Sequence, residues 1–327
     1  MNCFMFYTIS FIITIIFITV VLKLYFKLRI KPLKTYTCLI GKTVIITGAN
    51  TGIGYVTAID LAQRGAKVIL GCRNEEKAQE AVKNIIKQTK NENVSYKILD
   101  LKSFQSVREF AKEINKNEDK IDILINNAGV GGVGNKLTED GNQMTLQVNY
   151  LSHFLLTHLL IDKLKNGDKS RIINVSSVMA RYANINVKNL NEYSANLHPV
   201  LGRLRLYANS KLCQIYFTII LAEKLKGTGI CVNVLHPGSV QTNIFRKIPY
   251  EIFVNIISRI FFKTPEEGAR TSIFLATSKL IDYISGKLFD NCSQIEFYKS
   301  ARDKILGAEI WNKSEELVSL EQDEKIF

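Results

Sequence analysis

From residue 41 to about 310 the chain alternates short apolar runs with longer stretches of helical periodicity. The runs at 43–47, 67–70, 94–99, 121–125, 171–175, 230–235 and 287–290 have the length of strands and are rich in Val and Ile. Helical patterns fall between them, at 52–64, 75–88, 104–115, 142–164 and 207–226. Strands that are apolar throughout must be covered on both faces, so the alternation predicts βαβ units and a parallel sheet. Right-handed crossovers then give a doubly wound α/β order of the Rossmann type, with ligands held at the carboxyl ends of the strands. No Pro-, Ser- or Gly-rich linker and no internal repeat interrupts the pattern. One domain at 41–310 with a tail at 311–327 is expected.

The first segment reads differently. Residues 1–22 contain no charged residue, and residues 4–22 are dense in Ile, Phe and Val. About 20 such residues span a bilayer as a helix. A cleaved signal peptide would have a basic start and small residues at the cut, and neither is present. A membrane anchor at 1–22 is therefore expected, followed by a basic juxtamembrane linker at 23–40. Lys23, Lys27, Arg29, Lys31 and Lys34 all lie on its C-terminal side. The positive-inside rule then places the domain in the cytoplasm, with the endoplasmic reticulum as the expected membrane.

Net charge is +13, which raises a nucleic-acid reading. Attraction of the basic cluster to anionic lipid explains the excess more simply, since the remaining bases are scattered among 30 acids. The six cysteines form no CxxC pair, and the four histidines show no zinc spacing. They read as reduced thiols, and no metal is expected.

Three motifs carry the candidate chemistry. Thr47-Gly-Ala-Asn-Thr-Gly-Ile-Gly54 follows the first strand and opens a helix. Glycines let a pyrophosphate approach the backbone there, and the helix N-terminal amides bind the anion. The pair Ser176-Ser177 ends the fifth apolar run, and Tyr207-Ala-Asn-Ser-Lys211 sits in a helical stretch downstream. Four-residue spacing puts Tyr207 and Lys211 on one helix face. A nearby ammonium favours the phenolate, so Tyr207 is expected to titrate low and exchange a proton with a hydroxyl or carbonyl.

In this order, the motifs resemble the short-chain dehydrogenase/reductases, and within them the membrane-anchored retinol dehydrogenase-like group. The resemblance covers about residues 40–310 and also rests on Cys72-Arg73-Asn74, Asp100-Leu101, Asn126-Asn-Ala-Gly129, Asn149 and His236-Pro-Gly-Ser-Val-Gln-Thr242. It implies an oxidoreductase that moves a hydride between a nicotinamide cofactor and a lipophilic alcohol or its aldehyde or ketone, retinol and retinal being the model pair. By the resemblance, Tyr207 is the proton donor or acceptor, Lys211 assists it and binds the nicotinamide ribose, and Ser177 holds the substrate oxygen. Ser177 is preferred to Ser176 because the second serine matches the family's position. Asn149 would hold a water for a proton relay.

Cofactor contacts would come from Gly48, Asn50, Thr51, Gly52, Ile53 and Gly54. Asp100 and Leu101 would lie at the adenine, with Asn126, Ala128 and Gly129 along its ribose. Pro237, Gly238 and Thr242 would cover the nicotinamide. An NAD site would carry an acid at the end of the second strand to hold the ribose 2′-hydroxyl. Here Cys72 takes that place and Arg73 follows, a planar fork suited to a 2′-phosphate, so NADP(H) is preferred over NAD(H). Glu75 and Glu76 could compete for that guanidinium.

Departures bear on substrate. Thirty residues separate Ser177 from Tyr207, and the Asn-rich insertion at 181–206 should shape the substrate mouth. The apolar stretch 248–262 is either an amphipathic lid at a membrane surface or a buried helix. His153 and His158 read as packing or surface residues. A sterol, steroid or other lipid carbonyl reductase, and a catalytically silent nucleotide-binding membrane scaffold, are the alternatives. A homodimer is possible from the family; nucleic acid is not expected as a partner.

Overall fold

The structure, a computed structural model, describes residues 30–33, 35–192, 198–241 and 262–326, with scattered positions between 7 and 28. Most of the expected anchor, Thr242 and nearly all of the stretch 248–262 lie outside the described residues. Among the described residues, no helix is long and apolar enough to cross a membrane.

The strands β1 (Thr43–Thr47), β2 (Lys67–Cys72), β3 (Val94–Ile98), β4 (Ile123–Asn126), β5 (Arg171–Val175), β6 (Cys231–His236) and β7 (Lys287–Asp290) form one parallel sheet. Their order is β3-β2-β1-β4-β5-β6-β7. A short β8 (Ser293–Ile295) closes the edge antiparallel to β7. The order reverses between β1 and β4, which makes the crevice at their carboxyl ends the natural ligand site.

Side chains alternate across this sheet into two apolar cores. Val44 and Ile46 face one core, with α1 (Gly52–Gln63), α2 (Glu75–Thr89) and α6 (Pro265–Thr277). Ile45 faces the other, with α3 (Phe104–Asn117), α4 (144–159), α5 (Pro199–Lys224) and α7 (Lys304–Leu317). All three are fully buried, and each such side chain contributes about 1.5–3 kcal/mol. Burial on both faces is why these strands read as continuous apolar runs.

The helical stretch expected at 142–164 is broken in the structure. Here α4 consists of Met144–Leu146, a π-helical turn Gln147–Leu151 and Ser152–Leu159, and a short separate helix follows at Ile161–Lys165. Helix α5 begins eight residues earlier than expected, with Pro199 in its first turn and His198 as its cap. Part of the insertion before Tyr207 is therefore helix. Thr264 and Glu267 form the capping box of α6. Helix α7 crosses the expected boundary at residue 310, and Trp311, Val318 and Ile326 are buried in the same core as α4 and α5.

Candidate active site

The glycine loop enters from the end of β1 under severe steric demand. Gly48 has φ +66, and a Cβ there would lie 2.9 Å from Ala128 Cβ. At Gly54 a Cβ would meet Asn127 Nδ2 at 2.5 Å and the Gly48 carbonyl at 2.8 Å. Only glycine fits both places, because the loop is pressed onto the segment after β4. Thr51 precedes α1 in extended conformation and makes no side-chain cap, and the first turn of α1 holds no acid. By contrast Asn74, Ser103, Thr264 and Asp303 cap α2, α3, α6 and α7 with their side chains. The amides of Ile53 and Gly54 at the start of α1 are thus left for an anion, which fits a dinucleotide's pyrophosphate.

Cys72 ends β2 fully buried, and burial pushes its thiol up to about 11. It stays neutral and offers no anion to a ribose hydroxyl. Arg73 beside it is exposed, and among the described residues it makes no ion pair. Glu75, one of its feared competitors, instead accepts from the Tyr96 hydroxyl at 3.2 Å. Asp100 is turned to its own loop, accepting from Lys102 N at 3.1 Å, and the carbonyl of buried Leu101 takes the Ser152 hydroxyl at 2.7 Å. Asn126 is buried and donates to Thr157 and Asn174 at 3.1 and 2.8 Å, so its side chain steadies the sheet rather than facing a ligand.

Ser177, Tyr207 and Lys211 come together at the carboxyl end of β5. The Tyr207 hydroxyl hydrogen-bonds the Ser177 side chain. Lys211 Nζ lies 5.9 Å from the Tyr207 ring centre and donates to the Val175 carbonyl at 2.8 Å. Ser176 turns the other way and donates to the Lys211 carbonyl at 2.6 Å. That orientation separates the two serines: Ser177 faces the phenol, and Ser176 fastens α5 to β5.

One expectation fails here. Burial pushes the Tyr207 phenol up to about 12, the Ser177 hydrogen bond opposes it, and Lys211 does not hold it low. Burial also brings the Lys211 ammonium down to about 8. Both groups are buried, and desolvation of the charged form is the largest cause of each shift.

Asn149 lies inside the π turn of α4. Its Oδ1 accepts from Val130 N at 2.7 Å, and its Nδ2 donates to the Val130 carbonyl and to Ser210 Oγ, each at 3.0 Å. Asn149 therefore braces the chain after β4 against α5. Gly129 sits where they converge, since a Cβ there would approach Asn149 Oδ1 at 3.3 Å and Lys211 Nζ at 3.4 Å.

His153, read from the sequence as a packing or surface residue, is fully buried beside the site. Thr47 Oγ1 accepts from the amides of Asn127 and Ala128, both at 3.0 Å. Its own proton is then directed at His153 Nε2, 2.9 Å away, which leaves the ring proton on Nδ1, facing the Asn149 carbonyl at 3.2 Å. Gln214 Nε2 donates to that same carbonyl at 2.6 Å. A π turn deprives carbonyls of their ordinary helical partner, and these two side chains supply it. Burial holds His153 down at about 3, so the ring is neutral. The available signal was its spacing, one turn after Asn149 and on the same face.

Pro237 and Gly238 follow β6, and Gly238 takes φ +83. Lys263 Nζ donates to the Pro237 carbonyl at 3.2 Å, and backbone bonds Lys263 N to Ser239 O and Gln241 N to Lys263 O close the base of the segment between them.

The short chain dehydrogenase family model matches residues 42–251. Human retinol dehydrogenase 14 is 42% identical over 298 residues, covering 86% of this chain and 87% of that protein. Human retinol dehydrogenase 13 is 43% identical over 287 residues, covering 86% of each. A crystal structure of an uncharacterized protein from Mycobacterium paratuberculosis superposes with TM-score 0.70 at 28% identity, covering 88% of this chain and 98% of that one. From its sheet, its Ser177–Tyr207–Lys211 cluster and these likenesses, the chain belongs to the short-chain dehydrogenase/reductase family, in the retinol dehydrogenase-like group, as an oxidoreductase acting on CH–OH groups with a nicotinamide cofactor.

Proposed function

We propose that this protein interconverts a lipophilic alcohol and its aldehyde or ketone, with retinol and retinal as the model substrate pair, and prefers NADP(H). The observation that carries the reading is the Tyr207–Ser177 hydrogen bond beside buried Lys211, at the carboxyl end of β5 and next to the glycine loop. Similarity to retinol dehydrogenases 13 and 14 supports the choice of substrate. Exposed Arg73 beside the neutral thiol of Cys72 supports the 2′-phosphate.

The glycine loop, Lys211 and Pro237–Gly238 would hold a nicotinamide cofactor, which would supply or accept the hydride. Ser177 holds the substrate oxygen and stabilises charge growing on it. Tyr207 stays a phenol at neutral pH, so it is set to donate its proton as a carbonyl is reduced and is left as the phenolate; the oxidation runs from that phenolate, which takes the alcohol's proton. Lys211 places positive charge beside the reacting oxygen, and Asn149 with His153 holds the floor of that pocket.

Residues 1–22 act in this reading as a membrane anchor, with the catalytic domain in the cytoplasm and the endoplasmic reticulum as its membrane. Full-length protein in detergent, assayed with retinal, medium-chain aldehydes and ketosteroids, tests the substrate class. Turnover of retinal with NADPH, and weaker turnover with NADH, is expected. Turnover confined to ketosteroids selects the steroid alternative, and tight NADPH binding without any turnover selects the silent scaffold.

A further inference from the structure

Strand β1 starts at the amino-terminal edge of the sheet, opposite the catalytic groups. A segment joined directly to it would hang from the wrong side of the domain. The chain avoids this with a strap over residues 31–39. Leu39 N bonds the Arg64 carbonyl at 2.9 Å, and Leu39 is buried. Thr37 Oγ1 donates to the Thr277 carbonyl at 2.6 Å, Thr277 Oγ1 to Thr35 Oγ1 at 2.8 Å, and Arg64 Nη1 to the Thr35 carbonyl at 2.9 Å.

The strap then runs back along α6. Arg270 Nη1 donates to the Lys31 carbonyl at 3.1 Å, Lys31 N to Asn291 Oδ1 at 3.1 Å, and Lys31 Nζ to Ser293 Oγ at 2.6 Å. Asp290 pairs in register with His236, and Val175 with Leu235. Asn291 therefore stands level with Pro237, two strands over from the end of β5 that carries Ser177. Residues 31–33 and 35–39, part of the expected basic juxtamembrane linker, run from the amino-terminal edge of the sheet to its catalytic edge.

We propose that the mouth of the active site faces the bilayer that holds residues 1–22, so that a lipophilic substrate enters from the membrane surface; this rests on reading residues 1–22 as an anchor. Only the eight residues 23–30 separate the anchor from the strap, and eight residues reach at most about 28 Å even when fully extended. That short tether keeps the catalytic edge near the headgroup layer. The loops at this edge fit such a surface: Leu137, Tyr182 and Leu201 are each more than half exposed, with exposed Lys136 and Arg181 beside them. Exposed apolar side chains flanked by bases suit an interface with anionic lipid. Glu139 and Asp140 lie in the same region, and Asp140 is already occupied by Phe104 N at 2.9 Å.

The test uses full-length protein in vesicles of phosphatidylcholine with phosphatidylserine. Cys3, Cys38 and Cys292 are replaced by serine, and a fluorophore is attached at Leu201→Cys or at Tyr283→Cys, an exposed site by Lys169 at the opposite edge. Flotation reports the anchor, and quenching by nitroxide-labelled lipid reports proximity. Vesicle-bound protein should be quenched several-fold more at 201 than at 283, and a flexible insertion of about ten residues between Ile30 and Lys31 should narrow that gap. Equal quenching, or stronger quenching at 283, in floated protein overturns the orientation while leaving the anchor standing. Protein that does not float refutes the anchor, and the orientation with it. Quenching at 201 by labelled protein in place of labelled lipid would assign the edge to a second copy of the chain and reject the bilayer.

Discussion

Tyr207 is 6% exposed and Lys211 is 2% exposed, and that burial decides how each titrates. With the Lys211 ammonium brought down to about 8, the folded chain gives up this proton before the unfolded chain does. Below pH 8 the buried charge costs stability, and between pH 8 and the ordinary lysine range the stability from this group rises with pH. Activity should move the opposite way. The kcat/KM for the cofactor, which reports the free enzyme, should fall through an apparent pKa near 8 as Lys211 loses its charge. A profile flat to pH 10 would count against a charged Lys211 in catalysis.

His153→Leu leaves the Thr47 hydroxyl without its acceptor, a loss of about 1–3 kcal/mol, while the Asn149 carbonyl keeps the Gln214 donor. A lower melting temperature together with a lower kcat is expected, and Thr47→Val should add a further loss, because it also strips the Asn127 and Ala128 amides of their acceptor. Arg73→Ala should raise KM for NADPH by about tenfold or more, the loss of a charge-assisted contact of about 1.5–3 kcal/mol, and leave KM for NADH nearly unchanged. Of these residues, the exposed place of Arg73 just past β2 was legible in the sequence. His153 was not, because a buried neutral ring and a solvated one look alike until Thr47 is seen against it.

The elements were legible where one physical rule governed them. The central strands are apolar on both faces, so periodicity located them to within two residues or so. Strand β8 escaped because Ser293-Gln294-Ile295 is too short and mixed to carry a pattern. The early start of α5 was hidden by an Asn-rich insertion, although His198 and Pro199 supply an ordinary helix entry. The break in α4 was hidden too, since a π turn leaves an apolar helical pattern nearly unchanged. The glycine loop makes the sharpest forecast at this scale. Gly54→Ala puts a methyl group 2.8 Å from the Gly48 carbonyl, so the loop must shift, and NADPH affinity measured by fluorescence titration should drop at least tenfold. Unchanged affinity would mean that the loop does not hold the pyrophosphate.

The whole molecule closes through its C-terminal end, which sequence reading had set aside as a tail. Trp311 packs its ring against Phe154 at 4.9 Å and Phe217 at 5.9 Å, and its Nε1 donates to Glu315 at 2.7 Å. Trp311→Ala should cost about 3–5 kcal/mol by analogy with other buried aromatics, and a chain stopped at residue 310 should fail to fold in a thermal melt. The tail reading arose because one tryptophan in a polar helix carries little periodic signal, yet that residue fills the gap between α4 and α5.

The central claim is that Tyr207 passes the proton while other residues hold the cofactor. It is tested most directly by single-turnover NADPH oxidation with retinal, comparing the wild-type chain with Tyr207→Phe and measuring NADPH binding to both. The account predicts a rate reduced by about 10²–10⁴ in the variant, with NADPH binding within a few-fold of wild type. A Tyr207→Phe protein that binds NADPH and reduces retinal at the wild-type rate would contradict it.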